Sequence, residues 1–390
     1  MSVRAMSADG KLYHGFEQGP IRPPSEAASL LLRLTRNCPW NRCTFCPVYK
    51  DAKFSLRPVE HILQDIDLVA EQVVLLKTHL DSTGRLDYRD LNLLGRGSDD
   101  STQMALYAAY GWLEGGMQSI FLQDADSLVL KADDMVRILE YVRKRFHNVQ
   151  RITSYARSRT IDKISEQNLQ RIAAAGLNRI HIGMESGADE VLRRVRKGAD
   201  QAQQIRAGLK VKAVGMELSE YVMPGLGGRD LSTEHAEQTA AALNRINPDF
   251  IRLRTLAIPR GTPLHEEWRQ GRFNKLTDSE VAVELLSFLD HLKGIDSRLQ
   301  SDHILNLFEE IEGQLPYDKP KMLAVIHDFM RLPDEERMLY QVGRRLGLFR
   351  RLTDLDVLEK RQRAVLACRQ HGITMDNADE VLDRLMQRFI

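Results

Sequence analysis

The chain has 390 residues, 43% of them hydrophobic and 28% charged, and its 55 Lys and Arg against 54 Asp and Glu leave a formal net charge of +1. That balance excludes a strongly basic nucleic-acid coat or a polybasic membrane anchor, although local basic patches stay open. No apolar run approaches the ~20 residues that cross a bilayer and the first ten residues lack the apolar stretch of a signal peptide, so a cytoplasmic chain with no membrane contact is expected.

Residues 1–28, with Pro20, Pro23 and Pro24, show neither helical nor strand periodicity and are expected to form an irregular lead-in. A short apolar strand, Ser29 to Leu34, then opens into a loop that holds three of the four cysteines, Cys38, Cys43 and Cys46. Further strands are expected at Ser119–Leu122, Arg151–Ser154, Arg179–Ile182, Glu217–Val222 and Phe250–Leu256. Between them, helical spacing appears at Val59–Leu80, Thr102–Leu113, Ala132–Phe146, Ser165–Ala175, Gln201–Val214 and Thr233–Ile246, with start signals at Ser165 and Ser232 and stop signals at Gly176 and Gly215. Strict alternation of strand and helix predicts parallel βαβ units, in a barrel or an open doubly wound sheet. The first crossover, 51–118, is long, and its polar loop from about Asp81 to Asp100 is expected to be a lid or a mobile segment. From 266 to 390 the alternation gives way to a helical region, with candidates at Val281–Leu292, Ile304–Ile311, Lys321–Phe329, Glu335–Leu346 and Val357–Cys368.

Cysteines spread along a chain suggest disulfides; cysteines gathered on one loop suggest a metal. The run from Asn37 to Pro47 is a C-x4-C-x2-C loop. Three thiolates can hold three irons of a [4Fe–4S] cluster and leave the fourth iron open to a ligand that is not protein. Zinc competes, but needs a fourth ligand, and none of the eleven histidines is close by in sequence. Three buried structural cysteines are the remaining reading. Cys368, in an apolar helical stretch, reads as core.

At this loop the chain resembles the radical S-adenosylmethionine (radical SAM) superfamily, whose members carry three cluster cysteines after the first strand of a partial (β/α)6 barrel and an aromatic residue, here Phe45, before the last. The commonest family spacing is C-x3-C-x2-C, so this loop has one extra residue. The resemblance continues on successive strand ends, over about 29–265. Gln123-Asp124-Ala125-Asp126 stands where the family binds the SAM amino group, and Gly183-Met184-Glu185-Ser186-Gly187 where a polar side chain, here Glu185, meets the ribose. Lys197 is similar to the residue that pairs with the SAM carboxylate, and Val222-Met223-Pro224-Gly225 to the segment beside adenine. Pro259-Arg260-Gly261-Thr262-Pro263-Leu264 resembles the branch of oxygen-independent coproporphyrinogen oxidase-like and B12-associated proteins.

The resemblance implies a partial (β/α)6 TIM-like barrel with a helical C-terminal extension. It implies two cofactors, a [4Fe–4S] cluster on Cys38, Cys43 and Cys46, and S-adenosylmethionine beside Phe45, Gln123, Asp124, Asp126, Ser154, Glu185, Lys197, Pro224, Gly225 and Ile258. The implied reaction is reductive cleavage of SAM to a 5′-deoxyadenosyl radical that takes hydrogen from an unidentified substrate, with an electron donor such as flavodoxin or ferredoxin. Tyr155 and Arg157 are candidates beside the substrate, as are the Ser301-Asp302-His303 stretch and Arg252 and Arg254, which alternation places on one side of their strand. Each polar residue has a plainer alternative as a helix cap or turn. A different class also stays open. The cysteine loop as a zinc module, or the basic run Arg344, Arg345, Arg350, Arg351, Lys360, Arg361 and Arg363, would then bind RNA or a partner protein, although Asp354, Asp356 and Glu359 interrupt that run.

Overall fold

A computed structural model describes residues 12–387, so the first eleven positions of the lead-in lie outside the described residues. Strand β1 (Leu30–Arg33) carries three buried leucines. Two short strands, β2 (Thr35–Arg36) and β3 (Ser55–Leu56), pair antiparallel on either side of the cysteine loop. Helix α1 (Val59–Thr78) buries Ile62, Ile66, Val69, Val73 and Leu76, the three- and four-residue spacing of one helical face. Within the long crossover lie α2 (Tyr88–Leu94) and α3 (Asp100–Glu114), capped by the side chains of Asp87 and Asp99. The stretch 81–100 is thus partly helical, with Leu86 and Leu91 buried; a seven-residue helix is too short to show periodicity in a polar sequence.

Then alternate β4 (Ser119–Gln123), α4 (Ala132–Arg145), β5 (Arg151–Ala156), α5 (Ser158–Lys163), α6 (Glu166–Ala174), β6 (Arg179–Glu185), α7 (Asp189–Arg194), α8 (Gln201–Ala213), β7 (Glu217–Val222), α9 (Gly228–Ile246) and β8 (Phe250–Leu253). Ser165 caps α6 as its sequence signal predicts, accepting from the Asn168 amide. Beyond α10 (Pro263–Arg269) and α11 (Asp278–His291) come two strands that the sequence did not disclose, β9 (Arg298–Gln300) and β10 (Gly313–Gln314), followed by α12 (Lys319–Arg331), α13 (Asp334–Arg345), α14 (Leu358–Gln370) and α15 (Ala378–Met386). Eight strands follow the order β1-β4-β5-β6-β7-β8-β9-β10. Within this sheet, pairs β1/β4, β4/β5, β7/β8 and β8/β9 are parallel and β10 is antiparallel to β9. The fold is therefore α/β with a mostly parallel sheet and a helical C-terminal region, as expected of a partial (β/α) barrel.

The chain divides into two compact units. One comprises 1–39, 48–181 and 210–217. In it, α1 packs on α3 and α4, and the lead-in is tied down rather than loose. Tyr13 Oη donates to Asp65 at 2.7 Å, Glu17 accepts from Arg33, Arg36 and Arg57, and both amide atoms of Gln123 are engaged with the backbone of Gly19, with Ile21 O as a further acceptor.

The other unit comprises 40–47, 182–209 and 218–390. Here α9 packs on α11, α11 on α12, and α13 on α14 and α15. The helix expected at Ile304–Ile311 is absent: this is a buried loop, with Leu305, Asn306, Leu307 and Phe308 all inside. Its carbonyls find partners off the loop. Leu305 O, Asn306 O and Leu307 O accept from Arg345 and Arg344, at 2.6, 2.9 and 2.8 Å. Buried main-chain oxygens need donors, and two guanidiniums supply them in place of helical amides. The same contacts correct the reading of the basic run, since Arg344 and Arg345 are buried and no nucleic acid can reach them. Among the described residues no helix is long and apolar enough to cross a membrane.

Candidate active site

In the first unit the polar residues at the end of β4 have partners within the chain. Asp124 is fully buried, and its Oδ2 accepts from Arg33 Nε at 2.8 Å, Arg33 Nη2 at 2.7 Å and the Asn37 amide at 3.2 Å. Its Oδ1 accepts from Tyr49 Oη at 2.9 Å. One carboxylate thus anchors the residue before Cys38 and one just after Cys46. Gly19 is glycine because a Cβ there would lie 1.9 Å from the same Oδ1. Asp126 is also fully buried; Thr160 Oγ1 donates to its Oδ2 at 2.6 Å and Oδ1 has no partner. Burial pushes its carboxyl up to about 7, against the Thr160 hydrogen bond and the Arg157 charge. Ser154 is buried with its hydroxyl on the Tyr155 carbonyl, Tyr155 packs edge-on against Phe121 and near His181, and Arg157 is the residue before α5.

The second unit holds the rest of the loop. Thr44 is gripped on both main-chain atoms, its amide by Val195 O and its carbonyl by the Leu264 amide, each at 3.0 Å. Phe45 is buried in an apolar cluster with Val191, Met223, Leu226, Leu256 and Ile258, and Cys43 and Cys46 pack on that cluster's margin. Trp40 Nε1 donates to Arg196 O at 2.8 Å, and Gly198 (φ 75°) passes so near the indole that a Cβ would fall 2.4 Å from it. A two-residue separation between Cys43 and Cys46 thus encloses one pinned residue and one buried ring.

Glu185 ends β6 at φ 64°, a left-handed conformation that a non-glycine residue adopts at a cost and that recurs at functional sites. Lys197 Nζ donates to its Oε1 at 3.0 Å, and both side chains are nearly buried. Gly183 lies beneath the pair, where a Cβ would come 2.5 Å from Glu185 Oε1. Sequence reading missed a third member, Glu220 on β7. It is fully buried and neither oxygen has a hydrogen-bond partner; burial, with Glu185 adding and Lys197 opposing, raises its carboxyl well above the usual range. A glutamate between buried residues of a strand was the available signal.

Pro224 is buried, the Gly225 amide (φ 87°) donates to Glu284, and Ile258 is buried with its carbonyl accepting from Gln387. Arg252 and Arg254 part company: β8 ends at Leu253, so alternation stops there. Arg252 is buried against Ser219 and Asp302, while Arg254 is exposed. His303 is pushed down to about 4 by burial and by Arg254.

Cys38, Cys43 and Cys46 are half-buried and Cys368 is buried. Among the described residues no three His, Cys, Asp or Glu side chains gather around one ion position. A zinc site demands such convergence, whereas a cubane places each thiolate on a different iron. Three soft, half-buried sulfurs on one short loop, two of them, Cys43 and Cys46, at an apolar margin, fit the cluster.

Comparison with known proteins agrees. Residues 32–240, just over half of the chain, match the family model for the radical SAM superfamily. The tRNA uridine(34) acetyltransferase of Methanocaldococcus infernus is 22% identical over 279 residues, covering 69% of this chain and 50% of that protein. The 4′-phospho-dehydrooxetanocin synthase of Priestia megaterium is 29% identical over 237 residues, covering 56% of this chain and 27% of that protein. This chain thus spans half or less of either relative. Among solved structures, the coproporphyrinogen III oxidase of Escherichia coli, a radical SAM enzyme, aligns with 16% identity over 68% of this chain and 52% of that one at a TM-score of 0.43. The chain belongs to the radical SAM superfamily, and is an iron–sulfur enzyme whose cofactors are a [4Fe–4S] cluster and S-adenosylmethionine.

Proposed function

We propose that residues 29–265 form the catalytic part and generate a substrate radical, while 266–390 shape substrate choice. The observation that carries this reading is the fixing of Thr44 and Phe45, which holds Cys43 and Cys46 half-exposed beside apolar side chains. Cys38, Cys43 and Cys46 would hold the cluster. When bound, the two cofactors supply a one-electron cleavage that yields methionine and a 5′-deoxyadenosyl radical able to take hydrogen from a substrate.

The chain's own residues orient and shield. Lys197 offers a cation to a carboxylate and Glu185 an acceptor to hydroxyls, and the two hold each other in place until a ligand competes. Phe45, Pro224, Gly225 and Ile258 supply apolar surface and backbone that exclude water. Gln123 and Asp124 act by fixing the lead-in and the loop ends, and Ser154 and Asp126 by forming a buried floor. Tyr155 and Arg157 stand at the end of β5, where substrate contacts are expected in a barrel enzyme. The electron comes from a donor of the flavodoxin or ferredoxin kind, in the cytoplasm.

Anaerobic reconstitution tests this. The protein is expected to bind about four irons and to release 5′-deoxyadenosine from SAM under strong reductant, and Cys43→Ala to do neither. Full SAM cleavage by that variant, or a colourless protein with one zinc, refutes it.

A further inference from the structure

Arg254 directly follows β8, at the carboxyl end of that strand, the end at which barrel enzymes hold their substrates. The main chain around it is fixed at three points, all within the second unit. The Arg254 amide donates to Val222 O at 2.9 Å, the Thr255 amide to Asn306 Oδ1 at 2.9 Å, and Asn306 Nδ2 to Leu253 O at 2.8 Å. Asn306 in turn donates its own amide to His303 O at 2.9 Å, and Arg252 Nη1 meets Asp302 at 3.0 Å. The segments 252–255 and 302–306 are thereby laced side by side, which brings Arg254 and His303 into one neighbourhood.

The charges there do not cancel. Arg252 is engaged by Asp302 and by Ser219 Oγ at 3.1 Å, and Asp302 by Arg252. Arg254 is exposed and has no carboxylate partner among the described ion pairs. His303 is half-buried, and the Leu305 amide donates to its Nδ1 at 3.2 Å, so the neutral ring carries its proton on Nε2. Burial and the Arg254 charge hold it neutral. That N–H has no acceptor among the described hydrogen bonds. A guanidinium and a ring N–H, both donors only, are thus held on a braced backbone with one positive charge unmatched.

Their complement is specific. A cation would be repelled by Arg254, and a metal ion would find no ring nitrogen with a free lone pair. A neutral carbonyl accepts hydrogen bonds but leaves the charge unmatched. An oxyanion supplies the charge and several acceptor lone pairs, and its bonds to a guanidinium are about twice as strong as neutral ones. We propose that Arg254 and the Nε2–H of His303 bind an oxyanion, the carboxylate or phosphate of the substrate. That the anion belongs to the substrate rests on the radical-enzyme reading above; its binding does not.

Titration calorimetry and ¹⁵N NMR of the histidine rings, both on the full chain, test this. Methyl phosphate and acetate are the probes, with the uncharged trimethyl phosphate and methyl acetate as controls. The His303 resonance is assigned by its loss in His303→Asn, which keeps an acceptor for the Leu305 amide and removes the Nε2–H. A saturable shift of that resonance is expected with at least one anion, at an affinity at least about tenfold above its ester, the factor for one charge-assisted hydrogen bond. The tighter of the two anions tells phosphate from carboxylate. Arg254→Gln, an exposed change, should weaken binding about tenfold and His303→Asn severalfold; the first decides the matter if the second does not fold. No saturable shift with either anion, or an affinity that Arg254→Gln leaves unaltered, as an anion held elsewhere would give, overturns the proposal. Because these readouts need neither iron nor SAM, that failure leaves the radical reading standing, and a failed reconstitution leaves the anion site standing without its assignment to a radical substrate.

Discussion

Asp124 offers the sharpest test of how the cysteine loop is held. Its carboxylate meets Arg33 twice, the Asn37 amide and Tyr49 Oη, all inside the first unit, with side-chain exposures of 0% for Asp124 and 13% for Arg33. Asp124→Asn keeps the shape but removes the charge and turns one acceptor into a donor. Breaking a buried ion pair by neutralising one partner costs roughly 3–5 kcal/mol. Arg33 keeps Glu17 at 3.2 Å, which softens the loss, so the lower end, about 3 kcal/mol, is expected. Asp124→Ala also strands the Tyr49 hydroxyl and the Asn37 amide, for at least about 1 kcal/mol more. Urea unfolding at fixed pH reads both values. The loop should suffer too, since the residue preceding Cys38 loses its tie, and iron bound after reconstitution should fall in both variants. A loss below about 1 kcal/mol in Asp124→Asn with normal iron uptake would mean that the carboxylate does not hold the loop, and the account given for it fails.

Three further changes probe other parts. Asp126, ordinarily near 3.8 and pushed to about 7, binds its proton more tightly folded than unfolded. Its contribution relative to Asp126→Asn is thus full below pH 4 and disappears as pH rises through 7, by up to about 4 kcal/mol; parallel stability curves for the two proteins from pH 4 to 8 would contradict this. Gly198→Ala forces a Cβ into the Trp40 indole at a left-handed φ and should cost ~1–3 kcal/mol in thermal unfolding while lowering iron uptake; an unchanged midpoint argues against the anchor. Asn306→Ala removes the amide that joins Leu253 O, Ser301 Oγ and the Thr255 amide, and about 3 kcal/mol should be lost in denaturant unfolding, whereas a loss under about 0.5 kcal/mol would show that water replaces it.

What the chain disclosed by itself is what local pattern encodes. Short apolar runs located β1 and β4 to β8 to within a few residues, because a parallel strand covered on both faces is a nearly continuous apolar run while a crossover helix's burial repeats every three or four residues; β2, β3, β9 and β10 are two or three residues long and carry no such run. The loop Cys38–Cys46 was legible because ligand spacing is a property of a short stretch. Partner choice is not local. Asp124 is expected from its motif beside SAM, and the fold ties it to Arg33, Asn37 and Tyr49, up to 91 residues away in sequence, partners that no local pattern announces. Arg344 and Arg345 looked like a basic face and proved to be the donors for a buried loop 35–40 residues earlier, which in turn looked like a helix. Arg252 and Arg254 separated because a strand ended one residue too soon for alternation to hold. In each case the side chain was legible and its partners within the chain were not, since a charge or a carbonyl is satisfied by whatever the fold brings to it, and only the tertiary structure decides what that is.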